Sequence, residues 1–200
     1  MIYRQNFTFY QKKTGFGCFA KAPIRGLLAF IFVTLLTVSH TDIVLAQDRL
    51  AVKAVPVTLI PLNRIDTQDG TGFAFADHQG TSALVVNFWA SWCAPCIAEL
   101  PELVEAGQHL ADAGITMVLV NVDRKGKDHA LAFLDARAIS LEGVISAFNP
   151  QGDWPRSLQL RGLPSTYLVS KDGSEIYVVT GPEAWADEAV MGAVTELIGH

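Results

Sequence analysis

Hydrophobic positions along this chain change period several times, and each change predicts an element. Ala83 to Trp89, "ALVVNFW", is a continuous apolar run of β-branched and aromatic residues broken only by Asn87. A run of that kind fits a central strand buried on both faces. From Pro95 to about Ala113 the apolar residues Ile97, Leu100, Leu103, Val104 and Leu110 recur at helical spacing, and Ala113-Gly114 is a helix stop. Ile115 to Val122, "ITMVLVNV", reads as a second buried strand. Asp128 to Ala138 reads as a helix with Leu131, Phe133 and Leu134 inward. Thr166 to Val169 is a third strand, "SKDG" at Ser170 to Gly173 a hairpin turn, and Glu175 to Thr180 the returning strand. A last helix runs from about Asp187 to Ile198 with Val190, Val194, Leu197 and Ile198 on one face. Only one helix is expected between the Ile115 strand and Pro164.

This order of strand, helix, strand, helix, strand, strand, helix predicts an α/β fold. Parallel crossovers come first and an antiparallel hairpin closes the sheet. Gln47 to Gly72 reads as linker and edge extension, with a weakly strand-like "VTLI" at Val57 to Ile60. Phe73 to Gly80 reads as a short strand or turn entering the domain.

The chain is 50% hydrophobic over 200 residues, and the excess is concentrated near its start. Leu27 to Val38 has no charge and is twelve residues long, too short to cross a bilayer comfortably. Arg4, Lys12, Lys13, Lys21 and Arg25 precede it without an acid. Val44 and Ala46 stand at −3 and −1 of a cleavage point. This is the layout of a secretory signal peptide over residues 1–46, with an uncleaved membrane anchor as the alternative. Cleavage there removes five of the fifteen Lys/Arg and one of the twenty Asp/Glu. Ten cations then face nineteen acids, a net charge of −9. That balance argues against a nucleic-acid partner, which needs a basic face. The one basic run, "RKGK" at Arg124 to Lys127, lies between Asp123 and Asp128 and reads as a solvated loop.

Of three cysteines, Cys18 lies in the leader and Cys93 and Cys96 stand three apart. A strand ending at Trp89 and a helix beginning near Cys93 put the first thiol at a helix N-terminus, where partial positive charge favours thiolate. One helical turn brings Cys96 beneath it, so the pair can close a small disulfide. Cys93 is then expected to be exposed and to attack, with Cys96 deeper and resolving. Pro95 suits a first turn. A purely structural bridge is the weaker reading, since so short a loop constrains the unfolded chain little. A zinc site needs about four ligands. No second pair of cysteines exists, and His78, His109 and His129 stand singly as surface residues. Haem attachment needs His where Ile97 stands. Two-coordinate Cu(I) on the two thiolates stays open.

"NFWASWCAPCIAELPEL", "RGLPSTYLVSKDG" and "GPEAW" together resemble the thioredoxin-fold superfamily, and among its branches the periplasmic TlpA/ResA-like thiol–disulfide oxidoreductases. The resemblance covers residues 73–200. It implies a thioredoxin-like fold, a central mixed β-sheet flanked by helices, here with an N-terminal strand extension. It makes Cys93 the nucleophile and Cys96 the resolving thiol of a redox-active disulfide. Pro164 matches a proline with a cis peptide bond before it, and Leu163 offers backbone to an extended substrate. Pro101 matches a proline that kinks the first helix. Trp92, Ala94 and Pro95 are expected to meet the substrate beside Leu163. Where thioredoxins carry a buried aspartate this chain has Asn87, which exchanges no proton. Glu99, one turn past Cys96, is the expected proton relay and raises a thiol pKa.

The implied activity is disulfide reduction in exported proteins of the periplasm, such as apo-cytochromes or oxidase copper-site subunits. Electrons would come from a membrane donor of the DsbD/CcdA kind, with no dissociable cofactor and no metal. The alternatives are a copper-binding or apo-cytochrome chaperone of the same fold, and a disulfide-donating oxidant.

Overall fold

The computed structural model describes residues 50–200, so the leader expected over residues 1–46 and Cys18 lie outside the described residues. Seven strands form one mixed sheet: β1 (Val52–Ala54), β2 (Asp66–Thr67), β3 (Ala83–Trp89), β4 (Ile115–Asn121), β5 (Ile145–Phe148), β6 (Ser165–Val169) and β7 (Ile176–Thr180). Their order is β1-β7-β6-β3-β4-β5-β2. β3, β4 and β5 run parallel, while β6 is antiparallel to β3, β7 to β6, β1 to β7 and β2 to β5. Among the described residues four α-helices accompany them: α1 (Ala94–Ala111), α2 (Lys127–Asp135), α3 (Asp153–Ser157) and α4 (Glu188–Ile198).

β3 is central because every residue of it is apolar or has a buried partner; all seven are buried. Alternation sends Val85 and Trp89 to one face and Leu84, Val86 and Phe88 to the other. The first face packs on α1, through Leu100, Leu103 and Leu110, and on α4, through Val190, Val194, Leu197 and Ile198. Ala130 and Leu134 of α2 join the same core. The second face is closed by Phe73, Phe75 and Trp154, whose rings pack at 4.9–5.8 Å between centroids. Each such side chain, fully buried, contributes roughly 1.5–3 kcal/mol of apolar transfer.

Several expectations are corrected. Val57–Leu59 is a 3-10 turn, not a strand, since Pro56 and Pro61 bracket it and neither can donate to a ladder. β1 and β2, on either side of that turn, occupy the two edges of the sheet. Phe73 forms one bridge to Ile65 and then a 3-10 turn at Phe75–Asp77. β5 and α3 both lie between β4 and Pro164, so two helices and a strand stand where one helix was expected. α2 begins at Lys127 and ends at Asp135, earlier than read, and it turns Ala130 and Leu134 inward. Leu131 and Phe133 are only half-buried, and the Arg137 guanidinium caps the Phe133 ring at 3.6 Å. Lys127 is not a free loop cation: its ammonium donates to the Thr67 carbonyl at 2.6 Å and lies over Phe148. Pro101 lies inside α1, which continues past it. Among the described residues no helix is long and apolar enough to cross a membrane.

Candidate active site

β3 leaves the sheet at Trp89, and Ala90 to Trp92 turn the chain into α1. Cys93 is the N-cap of α1, with extended backbone angles of −93° and 94°, and its sulfur accepts the Cys96 N–H at 3.3 Å. Pro95 fills the first turn, where no N–H is needed. Cys93 and Cys96 are joined as a disulfide. Cys96 is fully buried. Cys93, expected to be exposed, is only 5% exposed, because its sulfur is tied back into the first turn. The exposed groups of the loop are Trp92 (72%), Ala94 and Pro95.

β6 begins at Ser165, opposite Phe88 of β3. That register puts Leu163 and Pro164 at the end of the sheet where β3 runs into the cysteine loop. The Leu163–Pro164 bond is cis. Pro164 is buried and Leu163 half-buried, and the Pro164 carbonyl accepts the Gly181 N–H at 3.0 Å.

One turn below Cys96, Glu99 points into the protein and is 4% exposed. Its Oε1 accepts from Asn87 Nδ2 at 2.9 Å. Its Oε2 accepts from the Trp185 indole at 3.3 Å and from the Glu183 N–H at 3.4 Å. Asn87 Nδ2 also reaches Thr166 Oγ1 at 3.0 Å, while Asn87 Oδ1 is buried without a partner among the described residues. Burial pushes the Glu99 carboxyl above its ordinary range. The N–H donors of Asn87, Trp185 and Glu183 oppose that shift, and the charge of Glu102 adds to it. A carboxyl raised in this way keeps its proton to higher pH than a free one, which suits it to take up and pass on a proton.

Asn87 and Trp185 are thus Glu99's partners, which the sequence alone did not pair. "GPEAW" carried the signal for Trp185, but no spacing rule ties it to a helix eighty-six residues earlier. A second cluster also went unread. The buried Asp123 carboxylate accepts the Ser91 N–H at 2.9 Å, and Ser91 Oγ lies 3.2 Å from His129 Nε2. Among the described residues no three His, Cys, Asp or Glu side chains converge as for a metal ion. His129 is engaged with Ser91, and His78 with Ser82 and the Phe73 ring.

Comparison with known proteins agrees with this geometry. The sequence model of the Redoxin family matches residues 53–195. The thiol-disulfide oxidoreductase ResA of Bacillus subtilis is 26% identical over 58% of this chain and 63% of its own length. The thiol:disulfide interchange protein CycY of Rhizobium leguminosarum is 33% identical over 49% of this chain and 50% of its own. The chain thus spans between half and two-thirds of the curated relatives it matches. A solved Chlorobium tepidum protein, given as a candidate thiol:disulfide interchange protein DsbE, superposes with a TM-score of 0.58. It is 27% identical and covers 67% of this chain and 94% of its own. The fold is thioredoxin-like, as the resemblance implied.

Proposed function

Because the chain belongs to the Redoxin family, we propose that it is a thiol–disulfide oxidoreductase that reduces disulfides in exported proteins. The observation that carries this reading is the Cys93–Cys96 bridge at the N-terminus of α1 with the buried Glu99 one turn below. In the dithiol form the Cys93 thiolate attacks one sulfur of a substrate disulfide. The substrate S–S bond breaks, and its other sulfur leaves as a thiolate that takes up a proton. Cys96 then loses its proton and attacks the Cys93 sulfur of the mixed disulfide, releasing the second substrate sulfur. The substrate gains two electrons and the Cys93–Cys96 bridge re-forms. Glu99 is the acceptor for the Cys96 proton, since a carboxyl raised by burial is matched to that task.

Trp92, Ala94 and Pro95 form the exposed rim against which a substrate lies, and Leu163 offers its backbone from the other side, beside Pro164. The names of the relatives, a thiol-disulfide oxidoreductase and an interchange protein, support the chemistry. The leader over residues 1–46 supports work outside the cytoplasm, either free in the periplasm or held by an uncleaved anchor. Apo-cytochromes and oxidase subunits are the substrates that reading favours. A reductant in an oxidising compartment needs electrons resupplied, which suits a membrane thiol donor of the DsbD/CcdA kind. The dithiol carries the electrons itself and needs no dissociable cofactor.

The test is the reduction potential of the Cys93–Cys96 couple against glutathione buffers. A value of about −200 mV or lower places it with thioredoxin-like reductants; a value near −120 mV makes it a disulfide donor and removes the reductive role.

A further inference from the structure

The loop that presents Cys93 is held from behind by a carboxylate that the exchange chemistry does not use. Asp123 follows β4 and is 3% exposed. Its Oδ2 accepts the Ser91 N–H at 2.9 Å and Asn121 Nδ2 at 2.9 Å, and its own N–H donates to Asn121 Oδ1 at 3.0 Å. The Val122 N–H donates to the Trp89 carbonyl at 3.0 Å, so the two loops are laced together at successive residues. Among the described residues no cation stands within ion-pair distance of Asp123. A neutral acceptor would fix the Ser91 amide as well, without the cost of burying a charge. What a carboxylate adds to an amide here is its field.

Ser91 and Cys93 are two residues apart, at most about 7 Å between Cα atoms. The carboxylate therefore stands on the order of 10 Å from the Cys93 sulfur. At that range, with an effective dielectric of about 20, one charge changes an ionisation equilibrium about tenfold. The sign opposes the positive end of α1. Other titratable or charged groups around the loop are Cys96 and Glu99 from α1, His129 from α2, and the exposed Arg124 and Lys125 on the Asp123 turn.

We infer that Asp123 is a positioning residue of the dithiol: its carboxylate fixes the loop that carries Cys93 and, by its charge, disfavours the Cys93 thiolate, biasing the couple toward the disulfide and making the dithiol a stronger electron donor. The inference rests on the redox reading of Cys93 and Cys96. The balance is that of ordinary exchange: two glutathione thiols give two electrons and two protons to the bridge and become one glutathione disulfide.

The experiment compares the full chain with Asp123→Asn and Asp123→Glu. Alkylation rates of the Cys93 peptide, resolved from Cys18 by mass spectrometry, give the acid constant of Cys93. The bridged fraction in glutathione buffers gives the equilibrium constant across a range of pH. Asp123→Asn keeps the acceptor and loses the charge. Its Cys93 is expected to be about tenfold more acidic, and its dithiol about tenfold more favoured at alkaline pH, which is about 30 mV for a two-electron couple. The two couples converge at acid pH, where both thiols are protonated. Asp123→Glu keeps the charge and is expected to follow the wild type. The inference is overturned by an unchanged Cys93 acidity in Asp123→Asn, by an offset equal at every pH, or by both variants shifting alike. Should Asp123→Asn not fold, Asp123→Ser, a smaller uncharged acceptor, is read in the same way. A bridge that does not exchange with glutathione even in the wild type overturns the redox reading itself; exchange with one pH profile in all variants overturns only the role of Asp123.

Discussion

The Trp185 indole donates to Glu99 Oε2 at 3.3 Å, tying the loop before α4 to the turn of α1 that follows the cysteines. Glu99 is buried, and each N–H aimed at it favours its charged form. Trp185→Phe keeps a ring in the core and removes that donor. The Glu99 carboxyl is expected to titrate higher than in the wild type, followed by carboxyl-carbon NMR. The protein is expected to lose about 1 kcal/mol in urea unfolding for the lost hydrogen bond. A Glu99 titration that does not move would leave the indole as packing alone.

Glu99→Gln tests the same group through pH. The folded protein binds the Glu99 proton more tightly than the unfolded chain does, since burial raises its pKa above 4.5. As pH rises, the unfolded chain ionises first. The stability this group contributes is therefore full below the unfolded value and is lost as pH rises through the folded one. Gln does not ionise. A half-turn of the Asn87 amide lets the unpartnered Asn87 Oδ1 accept the new N–H. The variant is expected to gain stability relative to the wild type as pH rises from the unfolded value through the raised folded one, with the difference vanishing at the acid end. Parallel unfolding curves at every pH would contradict it.

Legibility in the sequence followed the strength of the local pattern. β3 and β4 were read within a residue because unbroken apolar runs leave few alternatives; α1 and α4 were found because their apolar stripes persist over three turns or more, α1 ending two residues before the Ala113 read for it. β5 is four residues with Ser146 inside, and α3 is five residues containing Pro155, too short for either period to show. The edges β1 and β2 exist through partners more than seventy residues away, Val179 and Phe148, which no local signal announces. The same holds at the site. Cys93, Pro95 and Cys96 lie within four residues and declared themselves, and Glu99 was singled out by the resemblance, which implies a carboxylate one turn past the second cysteine. Trp185, Thr166 and Asp123 reach the site only through tertiary packing.

Gly107 marks a close approach of α1 to Met117 of β4 and to Val144. A Cβ there would lie 2.7 Å from Val144 Cγ1 and 2.9 Å from Met117 Cβ, both nearer than carbon atoms can come. Gly107→Ala gains helix propensity but forces the helix outward, and overpacking of this kind costs about 1–3 kcal/mol. A fall in the urea midpoint with unchanged slope is the expected reading. A rise would mean that Val144 swings aside freely.

Trp92 is 72% exposed, so the fold gains little from it. Trp92→Ala is expected to leave stability within about 0.5 kcal/mol. If the indole is the rim on which a protein substrate lies, the variant slows reduction of a disulfide-bonded protein several-fold and leaves reduction of a small disulfide such as hydroxyethyl disulfide unchanged. Equal slowing of both would instead make Trp92 a determinant of Cys93 reactivity.

Cys96→Ser separates the two thiols by role. Cys93 caps α1 beside the exposed rim, while Cys96 is fully buried beneath it. Without Cys96 the mixed disulfide has no internal thiol to resolve it, so the variant is expected to accumulate a covalent complex through Cys93, visible by intact mass and cleared by added reductant. Cys93→Ser leaves only the buried sulfur of the pair and is expected to give no complex at the site and background turnover. Complexes formed through Cys96 in that variant would reverse the assignment, and would require α1 to open its first turn to admit the substrate.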